Sequence, residues 1–208
     1  MLNILIALIP VVAWGTWLAP SQNVHFPNQQ VKTLYVTAAN LIITTIVMAF
    51  QGFDQLAAVP AGAFWLIFLG GIIWTISGLF AFTATAQIGT ARAFGIWAPI
   101  NIVVSMVWGI VLFGEFLDTG LRDILTVVGA LIVIIAGVLL IIFSKGRDSA
   151  DKTDQKTARF GYLAAIATGV LWASYFIPIN YAGVSMWVGA FPMALGMFTA
   201  SVVMVLLS

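Results

Sequence analysis

The chain has 208 residues, of which 62% are hydrophobic and only 7% charged, with eight Lys and Arg against seven Asp and Glu. A soluble domain carries about 25% charged residues, so this chain has too few ionisable groups to cover a water-facing surface, and most of its exterior must face lipid. The near-neutral, scattered charge excludes a nucleic-acid groove, and the lack of Cys beside a lone His25 excludes disulfide frameworks, thiolate nucleophiles and Cys/His metal sites.

A helix needs about 20 apolar residues to cross roughly 30 Å of hydrocarbon. Seven stretches qualify, at approximately 2–20, 32–51, 61–86, 93–114, 122–143, 160–179 and 187–207. The first has no basic leader and is interrupted by Pro10, Trp14 and Trp17, which makes it a retained span rather than a cleaved signal peptide. Pro10, Trp14, Trp17 and Ser21 share one of its faces. The second carries a polar stripe of Thr33, Thr37, Asn40 and Thr44, in which the threonines can bond their own helix carbonyls and Asn40 cannot be so easily satisfied. Trp74, Ser77 and Gly78 of the third span read as packing residues. On the fourth, Trp97, Asn101, Ser105 and Trp108 recur at i, i+4, i+8 and i+11, a single face. The fifth is almost wholly apolar, and its Gly129, Ala130, Ala136 and Gly137 suit close packing at the periphery, against the same subunit or a second copy in a homodimer. Thr168, Trp172 and Tyr175 share a face of the sixth. The connectors are short, which makes neighbouring spans antiparallel. The exception is Ser144 to Arg159, a charged segment with five basic and three acidic residues that reads as a solvated linker.

An internal echo organises these spans. Sliding residues 4–20 by 158 lays them on 162–178, matching Leu5 to Leu163, Ala7 to Ala165, Val12 to Val170, Trp14 to Trp172 and Pro20 to Pro178. Gly15, Thr16 and Trp17 fall on Ala173, Ser174 and Tyr175, residues of similar type. Five spans between the copies would set them in opposite membrane orientations, the inverted-repeat arrangement in which solute sites lie where the repeats face each other. The expected organisation is a first five-helix repeat over 1–143, a charged linker over 144–159, and the first two helices of a second, incomplete repeat over 160–208. The fold class is all-α, a polytopic transmembrane bundle.

The run Gly89-Thr90-Ala91-Arg92-Ala93-Phe94, then Ala98-Pro99-Ile100, and Gly109 to Phe113 ending in Gly114-Glu115 resembles the fourth-helix signature of the drug/metabolite transporter superfamily. With Trp14-Gly15 and its counterpart Trp172-Ala173, the chain looks most like the glucose/ribose porter branch, sugar uptake proteins of ten helices in two five-helix halves. The resemblance implies alternating-access carriage of a sugar or another small polar metabolite across the cell membrane, coupled to a proton or sodium gradient. It makes Arg92 and Glu115 signature residues. Helices eight to ten of the pattern are lacking, which leaves a non-transporting scaffold or half-protein as an alternative, beside a superfamily exporter of drugs.

The residues themselves fit a polyhydroxy solute: aromatic faces cover C–H surfaces while amides and hydroxyls meet hydroxyl groups. The candidate solute-binding set is therefore Trp14, Trp17, Asn40, Trp97, Asn101, Ser105, Trp172 and Tyr175. Interhelical packing is the competing reading for each of them. Arg92 and Glu115 sit at opposite ends of the fourth span and read equally as interfacial anchors. No span holds Asp or Glu at mid-depth, so proton coupling has no carrier here. No cofactor is called for, and the absence of His-Glu-x-x-His, paired intramembrane aspartates and Gly-x-Ser-x-Gly argues against an enzyme. Loop charge favours an external N-terminus by seven basic residues to one.

Overall fold

The computed structural model describes residues 24–115, 119–143 and 155–208, together with Leu8, Val12, Ala13 and Thr16. Most of the first span lies outside the described residues, and Trp14 and Trp17 with it. Every regular element among the described residues is helical. These are α1 (Gln29–Gln51), α2 (Phe53–Ala57), α3 (Ala61–Ile88), α4 (Thr90–Phe113), α5 (Leu121–Phe143), α6 (Gln155–Ser174), α7 (Ile177–Ala182) and α8 (Met186–Leu206). Six helical stretches among them are long and apolar enough to cross a membrane, with α6 and α7 counted as one. The protein is an integral, multi-pass helical bundle.

Local chemistry sets the boundaries, and several differ from the sequence expectation. The second span starts at Gln29 rather than 32 because the Asn28 side chain accepts from Val31 N at 2.8 Å and caps the helix. The connector expected over Gly89 to Arg92 shrinks to Gly89 alone. With φ of 80°, this residue turns the chain in one step from α3 into α4, a conformation other residues rarely adopt. The linker expected to reach Arg159 ends earlier, since Gln155–Arg159 already form the first turn of α6. At the other end the expected single span 160–179 breaks after Ser174. Pro178 has no N–H to offer the carbonyl four residues back, which is that of Ser174, and its ring clashes with that carbonyl. The chain therefore restarts as α7.

The spans alternate in direction, so one end of the bundle gathers the start of α1, the α3–α4 corner, the end of α5 and the start of α6. This is the linker end of the bundle. α3 is the central helix and packs on α6 and α8, and less extensively on α1 and α4. α8 also packs on α1, α6 on α4, and α5 leans chiefly on α4. The exposed Leu125, Ile132, Val133, Leu140 and Phe143 make α5 a lipid-facing helix, as expected from its composition.

Few side chains in lipid gain from leaving water, so close backbone approach and interhelical hydrogen bonds hold such bundles together. Both are present at the crossing of α3 and α8. A methyl group at Gly71 would strike the Met193 carbonyl, and one at Gly196 the Phe68 carbonyl. Thr75 Oγ1 donates to the Met197 carbonyl across the same crossing at 3.0 Å. On α1, Thr37 Oγ1 and Ser201 Oγ of α8 share a hydrogen bond of 2.6 Å, both residues buried. Asn40 Nδ2 donates to Met197 Sδ at 3.0 Å. The polar stripe expected on the second span is thus turned toward α8.

Candidate functional site

Between α4 and α6 the bundle encloses a half-open cavity of about 390 Å³. Its size lies within the range of small-molecule sites. α4 contributes Phe94, Trp97, Ala98, Asn101 and Ile102, whose spacing of three and four residues keeps them on one face. α6 contributes Trp172, and the break between α6 and α7 contributes Tyr175 and Phe176.

The helices can approach here because residue 169 is glycine. A methyl group at Gly169 would lie 2.7 Å from Ile100 Cβ and 2.8 Å from the Trp97 carbonyl. The rings fill the space that remains. Trp97 and Trp172 meet edge to face with centroids 5.6 Å apart and planes at 83°, a favoured aromatic arrangement. Phe94 stacks against Trp97 at 4.5 Å, Trp74 of α3 backs Trp172 at 6.2 Å, and Phe176 covers Tyr175 at 4.0 Å. Trp97, Trp172 and Tyr175 are almost fully buried, so their rings are fixed in place. Pro99 adds to the shape by interrupting the hydrogen-bond ladder of α4 beside the cavity.

Asn101 is the one amide in the lining, half-buried and halfway along α4. Nothing charged lines the cavity among the described residues. Such a site can cover an apolar face with rings and satisfy hydroxyl groups through one amide and the Tyr175 hydroxyl.

Of the expected site residues, the structure brings together Trp97, Asn101, Trp172 and Tyr175. Asn40 is elsewhere, bonded to Met197, and Ser105 is half-buried further along α4 outside the lining. Trp108, on the same face of α4, donates from Nε1 to Ser174 Oγ at 3.0 Å. That hydroxyl in turn donates to the Val170 carbonyl at 2.8 Å, which ties α4 to the last turn of α6. Glu115 folds back on the end of α4, where its carboxylate occupies the space a side chain at Gly109 would need. Arg92 is half-buried in the first turn of α4. Phe94 and Phe176 also line the cavity, beyond the expected residues. Phe94 could have been found from its i−3 relation to Trp97, whereas Phe176 enters only because Pro178 breaks the helix.

The sugar transport protein family matches residues 5–208 of the chain. A Bacillus cereus protein named “Putative sugar uptake protein” is 24% identical over 204 residues, which cover 98% of this chain and 68% of that protein. An Enterococcus faecalis protein of the same name is 28% identical over 204 residues, covering 96% of this chain and 68% of the relative. A Listeria monocytogenes protein so named is 31% identical over 145 residues, covering 69% of this chain and 48% of its own length. The chain thus spans about two-thirds of the length of the first two. No solved structure matches it.

Proposed function

The chain belongs to the sugar transport protein family, and from that premise we propose that the α4–α6 cavity is the site at which a monosaccharide-sized solute is held during carriage across the cell membrane. The observation that carries this reading is the packing of five aromatic rings around the single amide of Asn101, at the middle of a membrane-spanning helix. An amide at that depth is costly unless it meets a partner, and a sugar hydroxyl is a partner of the right kind. Rings against its C–H face supply the rest of the binding.

Carriage by alternating access is the mechanism that an inverted repeat supports. The offset of 158 residues that matches the first span to α6 would set the second span opposite α8 by position, with residues 1–143 as one repeat and 160–208 as the start of the other. In this reading the α1–α8 contact is the seam between repeats, held by the Thr37–Ser201 and Asn40–Met197 bonds. Rocking of one repeat against the other about this seam would open the cavity to each side in turn. The discontinuity at Tyr175 and Phe176 belongs to the class of broken helices that line such sites. In this reading the linker end, which holds more of the basic residues, faces the cytoplasm.

The test is solute counterflow in proteoliposomes with labelled glucose, ribose, an amino acid and a cationic dye. Saturable exchange of a sugar, weakened by Asn101→Ala at equal protein abundance, is the expected result. Exchange of the dye or the amino acid alone would replace the sugar reading.

A further inference from the structure

A second cavity, of about 710 Å³, lies at the linker end of the bundle, well away from the aromatic site. Gln87 of α3 forms one wall, and the first two turns of α6 form the other. Lys156 and Arg159 line it, and no acidic residue does so among the described residues. Below them the lining turns apolar, with Phe160 and Leu163 exposed at 50% and 63%. The same face of α6 continues through Ile166 and Val170, at spacings of three and four residues, both partly open at 36% and 38%. The surface thus changes within one helix face from two cations at the membrane boundary to an apolar track running into the hydrocarbon.

Most of the remaining described charge has the same polarity, with Arg122 at the opposite end the exception. Lys32 and Arg92 also lie at the linker end, where Lys32 Nζ sits 4.6 Å from the Phe82 ring centre. The described acids, Asp54, Glu115 and Asp123, all lie at the opposite end. We propose that this cavity holds the phosphate headgroup of an anionic phospholipid between Lys156 and Arg159, with an acyl chain laid along Phe160, Leu163, Ile166 and Val170. Charge complementarity with an anionic leaflet selects this occupant. A free phosphate would meet the two cations and gain nothing from the apolar track. A zwitterionic lipid would use the track but bring its own ammonium group against Lys156 and Arg159.

Purified protein in neutral detergent, titrated with phosphatidylglycerol or phosphatidylcholine and read by native mass spectrometry, tests the site. The expected result is preferential retention of phosphatidylglycerol by roughly tenfold, since each basic group near an anionic surface adds a severalfold factor. Lys156→Gln with Arg159→Gln should abolish the preference. The swap Lys156→Arg with Arg159→Lys should keep it, as should Arg122→Gln at the far end of the bundle. Lys156 and Arg159 are exposed, so the substitutions leave the packing of α6 intact. Equal retention of the two lipids, a preference that survives in the double Gln variant, or displacement of phosphatidylglycerol by millimolar inorganic phosphate would overturn the proposal.

Discussion

Ser77 of α3 and Thr168 of α6 each donate to the other's backbone carbonyl, at 3.1 and 3.4 Å, and both side chains are fully buried. Thr168 Oγ1 also reaches the Ala164 carbonyl of its own helix at 2.8 Å. The pair locks the register of two antiparallel helices one turn from Trp172 and Trp74, so it sets the back wall of the aromatic cavity. Ser77→Ala or Thr168→Val should each destabilise the protein by roughly 0.5–1.5 kcal/mol. In the double variant the losses should fall short of their sum, because each removes part of one shared contact. Unfolding in mixed micelles measures both.

The crossing of α3 and α8 depends on bare backbone. Gly71→Ala and Gly196→Ala each place a methyl group against a main-chain carbonyl that cannot move aside like a side chain. Each should cost on the order of 2–4 kcal/mol or prevent folding. Gly62→Ala, with nothing within 4 Å of the added methyl, should be neutral or slightly stabilising. Thermal denaturation of the three variants side by side checks the ordering.

Pro178 shapes the cavity from outside it. Replacing it with Ala restores an N–H that can reach the Ser174 carbonyl and allows α6 to run on into α7. Tyr175 and Phe176 would then rotate with a continuous helix, and solute affinity should fall by roughly tenfold or more, while thermal stability changes little because the restored N–H offsets the packing lost with the buried ring. Binding titrations paired with melting curves separate this outcome from simple unfolding.

Trp108→Phe keeps a ring on α4 and removes only the bond to Ser174. The expected loss in solute affinity is about three- to tenfold, the worth of one hydrogen bond that positions rather than contacts. Ser174→Ala should reproduce it, and the double variant should add little.

Much of the architecture follows from composition and periodicity. The six described spans lie where uncharged stretches of sufficient length predict them, and the one-face spacing of Trp97, Asn101 and Trp108 foretells that α4 presents these residues together, on the face that the structure turns toward α6. Periodicity tells which residues share a face but not what that face meets. Asn40 therefore looked equivalent to Asn101, yet it is matched by Met197 on α8, a partner 157 residues away that no local pattern announces. The break at Tyr175 was legible in principle from Pro178, but mean hydropathy runs on unchanged through the break and concealed it. Ser77 and Thr168 read as packing and as part of an aromatic face, respectively; only the crossing of α3 and α6 shows that they bond each other.

The chain has no cysteine, so a single thiol introduced at Ala98, a lining residue that supplies none of the proposed binding groups, reports on the cavity alone. If this is the solute site, Ala98→Cys reacts with a membrane-impermeant thiol reagent and a monosaccharide slows the reaction, while Ile132→Cys on the lipid face of α5 stays unmodified. A thiol at 98 that the reagent never reaches, or that reacts at one rate whatever sugar is present, would contradict the assignment.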